Sequence, residues 1–237
     1  MTKLLSLKKE LQQLVDPEKA DFLPQFFKAY PGGYGEGDLF IGVKVPDQRR
    51  VVKKYVQQLS LPEVIQLLQE PIHEYRQTAL LLLVELYQQA ENAAEEEKIV
   101  RLYLEYTEHI NNWDLVDCSA EKILGAYLFT RTKDTLYLLA RSNDLWEQRI
   151  AVIATFYFIK QGFFSDTLQI AEILLQHPHD LIHKAVGWML REVGKRDYQV
   201  EYDFLKRHYQ VMPRTMLRYA IEKFPPAVRQ QFLKGTI

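Results

Sequence analysis

The sequence predicts an all-α fold, a HEAT-like helical repeat solenoid, and three observations carry the prediction. Apolar residues recur at spacings of three and four almost everywhere. Period-2 alternation with β-branched enrichment is nearly absent, and only Phe40 to Val45 could pass for a strand. Start and stop signals cut the chain into about a dozen segments of ordinary helix length. Those signals are, in order, Asp16-Pro17, the glycines at 32, 33, 35 and 37, Val45-Pro46-Asp47, Leu61-Pro62-Glu63, Glu70-Pro71 and Asn111-Asn112. After them come Ser142-Asn143-Asp144, Gly162, His177-Pro178, Gly194, Met212-Pro213 and Pro225-Pro226. Helix pairs that start near Asp47, His73, Trp113, Asp144, His179 and Pro213 recur at roughly the 35 to 45 residues of HEAT-type repeats. No linker divides the chain, so residues 1–237 read as one domain. A curved solenoid of this kind offers a concave face along which a long polymer can lie.

Composition narrows the class. Of 237 residues, 47% are hydrophobic and 26% charged, which suits a globular core. The longest uncharged apolar run, Ile150 to Ile159, is half of the about 20 residues that a bilayer crossing needs, so no membrane segment is expected. At the N-terminus, Lys8, Lys9 and Glu10 break up Leu4, Leu5 and Leu7, and the segment reads as an amphipathic helix. The single cysteine, Cys118, rules out an intrachain disulfide and makes the cytoplasm the default compartment. A net charge of -1 hides an asymmetry: Leu181 to Ile237 holds 11 Lys and Arg against 5 Asp and Glu. Such a basic end suits an anionic partner, although a solvated surface has the same pattern.

Three helices carry side chains that violate their amphipathic pattern. After Pro178, Ile182, Ala185, Val186, Met189 and Val193 share one face, and Lys184, Trp188, Arg191 and Lys195 share the opposite one. A tryptophan among cations either meets a neighbouring repeat or serves a nucleic-acid groove, with cations for phosphates and an apolar face for sugar or base; the groove is preferred. The helix beginning near Asn112 buries Val116, Ala120, Ile123 and Tyr127, and leaves Trp113 and Asp117 one turn apart on its flank. That pair could equally be a structural hydrogen bond. Arg149 stands in the first turns of a helix, where the macrodipole does not favour a cation, so an anion is expected beside it, Asp117 or a phosphate. His179 and His183 have metal-compatible spacing but no third ligand, so no metal is expected, and capping is the commoner role. Cys118 reads as a structural thiol, Glu95 to Glu97 as a solvated face, and the glycine cluster as a turn, since no phosphate-loop lysine follows it.

At these residues the chain resembles the HEAT-repeat DNA alkylation repair proteins of the bacterial AlkD type, over nearly its whole length. The resemblance is carried by Gly42-Val-Lys-Val-Pro-Asp-Gln-Arg49, Asn112-Trp-Asp-Leu-Val-Asp117, Trp146-Glu-Gln-Arg149, Lys184-Ala-Val-Gly-Trp-Met-Leu-Arg191 and the segment from Met212 to Lys223. It implies a solenoid that cups duplex DNA and cleaves the glycosidic bond of N3- or N7-alkylated purines, with Trp113, Asp117, Arg149 and Trp188 as the functional positions. Lys184, Arg191, Lys195, Arg214 and Arg218 would hold the DNA backbone. No cofactor, metal, membrane or obligate protein partner is called for. Two competing readings are a paralogue that binds unusual DNA without cutting it and a protein-interaction scaffold with no nucleic-acid role.

Overall fold

The computed structural model describes residues 2–237, all-helical among those residues, in two compact units, one ending at Ser119 and the other spanning Ala120–Ile237. The first unit contains α1 (Lys3–Gln12), α2 (Pro17–Phe26), α3 (Val45–Tyr55), α4 (Leu61–Leu68), α5 (His73–Gln88), α6 (Ala93–Glu105) and α7 (Trp113–Ser119). Its helix starts are locally encoded. Asp16 caps α2 by accepting from the Lys19 N–H at 3.3 Å, Pro17 follows at the first helical position, and Asn92 caps α6 through the Glu95 N–H at 3.1 Å. At α4 the Glu63 carboxylate reaches back to the Ser60 N–H at 2.9 Å. The buried axis of this unit is α5, in which residues 73–84 are all buried and which packs against α3, α4, α6 and α7.

The second unit opens on a π turn, Glu121–Gly125, followed by α8 (Ala126–Leu128), α9 (Asp134–Ala140), α10 (Leu145–Lys160), α11 (Ser165–Ile173), α12 (Asp180–Gly194), α13 (Tyr198–His208), α14 (Arg214–Ala220) and α15 (Pro226–Lys234). Asp144 caps α10 through the N–H groups of Trp146 and Glu147, and Asp197 caps α13 through that of Val200. The Ile150–Ile159 run is the core of α10, which packs against α9, α11, α12 and the π turn. Next to it α12 buries Ile182, Ala185, Val186, Met189 and Val193, the face expected from the sequence. Gly187 is needed there: a Cβ at this position would lie 2.5 Å from the Met216 carbonyl oxygen of α14, so the two helices could not approach as they do.

One segment that could pass for a strand is not one, and one expected helix is interrupted. Residues 40–44 form no strand; the segment is held by an isolated parallel bridge between Leu39 and Ile72 and by the Glu74 carboxylate, which accepts from the Ile41 and Gly42 N–H groups, the latter at 2.7 Å. A side chain thus takes the place of a partner strand, and Gly42 at φ +78° turns the chain where an L side chain would be strained. The helix from Asn112 through Tyr127 is also not a continuous α-helix. The Gly125 N–H donates to the Ala120 carbonyl at 2.9 Å, one residue beyond the α register, and the inserted residue makes the π turn.

One buried group makes a measurable demand on the second unit. Glu201 on α13 is 2% exposed, its Oε1 has no hydrogen-bond partner, and its other oxygen faces Gly194, where a Cβ would sit 1.6 Å away. Burial, opposed by Arg191 and reinforced by Glu192, pushes its carboxyl up to about 9. The group stays neutral when folded but ionises when unfolded, so stability falls as pH rises from its ordinary value of 4.5 towards 9, by about 1.4 kcal/mol per unit. Glu201→Gln is therefore expected to stabilise the protein at pH 7 by roughly 3 kcal/mol, raising Tm by several degrees. Thermal melts at pH 5 and pH 8 check this, since the gap between variant and wild type must widen with pH.

Candidate active site

In the first unit, Trp113 opens α7 and Asp117 follows one turn later; both are half-buried. Trp113 is held by aromatic packing, stacked on Phe27 with ring centroids 5.3 Å apart and set edge-on to Phe26 at 6.0 Å. Phe27 in turn stacks on Phe40 and contacts His73. One face of the indole is thus fixed by the fold.

The start of α7 is anchored by a network of buried polar side chains that the sequence reading missed. His73, 2% exposed, donates from Nδ1 to Asp38 at 3.0 Å and from Nε2 to Asp114 at 2.9 Å. Arg76 also donates to Asp38, as does the Asn112 amide, at 3.3 Å. Gln77 bridges Asp114 to Gln48, each contact 2.9 Å long. Burial on its own would lower the His73 pKa, but the two carboxylates outweigh it and push the imidazole up to about 9, so it is a cation at neutral pH. Burial likewise opposes ionisation of Asp38, yet His73 and Arg76 hold its carboxyl below the ordinary value. Two residues directly beside the candidate pair, Asn112 and Asp114, are therefore tied to the segment between α2 and α3 and to α5.

The second unit holds the other candidates. Arg149 on α10 is 5% exposed and donates from Nη1 to the Leu181 carbonyl of α12 at 2.7 Å. Trp188, half-buried on α12, packs against Phe156 of α10 with centroids 5.8 Å apart. Its indole N–H donates to Glu192 at 3.2 Å, and Lys195 donates to the same oxygen at 2.6 Å. Glu192, 7% exposed, thus orients Trp188 through a bond that sequence reasoning did not find, although the one-turn spacing was there to be read. The expected backbone-binding cations divide into two groups. Lys184 pairs with Asp180 at 2.9 Å, and Arg191 pairs with Glu222 and is only 16% exposed, whereas Arg214 and Arg218 are exposed on α14. His179 caps α12, accepting from the Leu181 N–H at 3.1 Å, and the half-buried Cys118 donates to the Leu115 carbonyl. Among the described residues no helix is long and apolar enough to cross a membrane.

Helices stacked on one another around α5 and around α10 and α12, with aromatic and acidic side chains set at their flanks, define an all-helical repeat protein. The chain belongs to the DNA alkylation repair enzyme family, whose model matches residues 7–224. That membership supports a role in DNA alkylation repair. Two solved structures share the fold. One is described as a predicted DNA alkylation repair enzyme from Enterococcus faecalis; it has a TM-score of 0.72 and 18% identity, over 90% of this chain and 97% of that one. The other, AlkD2 from Streptococcus mutans, has a TM-score of 0.54 and 15% identity, over 89% of this chain and 99% of that one. No curated protein matches the chain.

Proposed function

We propose that the protein is a monofunctional DNA glycosylase that hydrolyses the N-glycosidic bond of N3- and N7-alkylated purines in duplex DNA. The observation that carries this reading is the Trp113 and Asp117 pair: an indole whose orientation is fixed by Phe27, with a carboxylate one helical turn away. Alkylation at N3 or N7 makes the base cationic and a good leaving group, so bond breaking builds oxocarbenium character on the deoxyribose. A fixed carboxylate stabilises that cation and orients the attacking water, and the negative faces of Trp113 and Trp188 add cation–π contacts of roughly 0.5–2 kcal/mol each. Water adds its oxygen to C1′, the C–N bonding electrons go to the base and neutralise it, and the water's proton is released. Arg149 is assigned to a phosphate near the lesion. None of these four residues is a lysine that could form a Schiff base, so no strand cleavage follows. Lys184, Arg191, Lys195, Arg214 and Arg218 hold the backbone and confer no sequence choice. A single cysteine suits action in a reducing cytoplasm.

Incubation with duplex DNA containing N7-methylguanine is expected to release free base well above the spontaneous rate while the strand stays intact at the abasic site. If these five cations and Arg149 all meet phosphates, the plot of log affinity against log salt has a slope of about -5. Salt-sensitive binding without base release would leave a DNA binder that does not cut. Binding insensitive to salt would leave a protein scaffold.

A further inference from the structure

The first unit contains a cavity of about 400 Å³ that the proposed chemistry does not use, within the roughly 300–1,000 Å³ of small-molecule sites. One wall is aromatic, formed by Phe26 at the end of α2 and Phe27 just after it, and the other is aliphatic, with Val45 at the start of α3. The floor is polar and includes Gln77, His73 and Asp114. Within that floor the donors are largely spent: both His73 nitrogens point at carboxylates, and Gln77 donates to Asp114. Acceptor capacity remains. A carboxylate has about four lone-pair sites, and Asp114 uses two on Oδ2 and one on Oδ1, for the Leu115 N–H. Its side chain is 14% exposed, against 2% for Asp38 and His73, so it is the member of the network that a ligand can reach.

Flat apolar walls above an acceptor select a flat heterocycle with N–H donors along one edge. We propose that this cavity binds a purine base, its ring against Phe26, since Trp113 and Phe40 already stack on Phe27, and its N–H edge on Asp114. Lys19 and Lys44, which also line the cavity, would meet the phosphate if the purine arrives as a nucleotide. The choice of an alkylated purine as ligand rests on the glycosylase reading, because hydrolysis would release such a base beside Trp113, whose ring touches both Phe26 and Phe27.

The test uses the full chain without DNA and reads binding, not turnover. Saturation-transfer NMR with 7-methylguanine is expected to show binding to the wild type. Caffeine, a flat trimethylated purine with no N–H donor, is expected to bind at least tenfold more weakly. Val45→Trp is expected to fill the mouth and reduce the signal at least fivefold; Val45 is 39% exposed, so circular dichroism should be unchanged. Phe26→Ala, at a residue 50% exposed, removes a wall and should act in the same direction. A second arm measures 2-aminopurine fluorescence in bound duplex, where a change abolished by Val45→Trp identifies a nucleotide still in the strand as the occupant. A response in the first arm alone identifies free base. Equal binding of caffeine, insensitivity to both variants, or no response in either arm overturns the proposal. Base release is scored separately, so a protein that binds 7-methylguanine but releases none keeps the cavity and loses the glycosylase reading, and the reverse outcome does the opposite.

Discussion

Asp117→Asn is expected to keep the helical fold and to bind duplex DNA within about twofold of wild type, yet to lower the single-turnover rate of base release on the order of 10²- to 10³-fold, the range for removing one preorganised electrostatic partner of a transition state. The substitution is nearly isosteric. It removes the charge beside Trp113 and leaves intact the aromatic packing that holds α7. Circular dichroism, a DNA titration and a base-release time course together decide the matter. Unchanged release would remove Asp117 from the mechanism, and lost DNA binding would give it a different role.

The second large effect concerns stability. His73→Leu removes the cation between Asp38 and Asp114 and leaves two buried carboxylates that Arg76 alone cannot balance. Breaking a buried pair in this way costs about 3–5 kcal/mol, a large share of the stability of an ordinary domain. The pH dependence has a definite sign. The folded pKa of His73, about 9, lies above its ordinary 6.5, so the stabilisation is fully present below pH 6.5 and is lost as pH rises through 9. Denaturant melts at pH 6 and pH 9 should therefore show a wild-type decline beyond that due to Glu201, and the leucine variant should lack that part of it. Equal declines in the two proteins would show that the imidazole is not charged in the fold.

Much of the helical pattern was legible in the sequence because its signals are local. A cap such as Asp16 or Asn92 satisfies backbone groups two or three residues away, and the buried face of α12 is written in its own periodicity. The π turn was not legible, because an extra residue in a helix changes the register of hydrogen bonds without calling for any particular residue type. Residues 40–44, within the one stretch that could pass for a strand, lack a partner strand, and Glu74 satisfies the backbone instead. The Trp113 and Asp117 pair was visible as a spacing. Its supports were not, since His73 reaches partners 35 and 41 residues away and nothing near it in the sequence announces them. Phe26 and Phe27 lie still further from Trp113 along the chain, and only folding brings the three rings together.

Glu201 and His73, one in each unit, have a joint consequence for how the chain exchanges protons with its solvent. Near pH 7.5 the folded protein holds both protons, whereas the unfolded chain, with these groups at their ordinary values, holds almost neither. Folding therefore takes up roughly two protons at that pH from these groups alone. The heat of unfolding will accordingly vary with the ionisation enthalpy of the buffer, and an unbuffered solution should become more acidic as the protein melts.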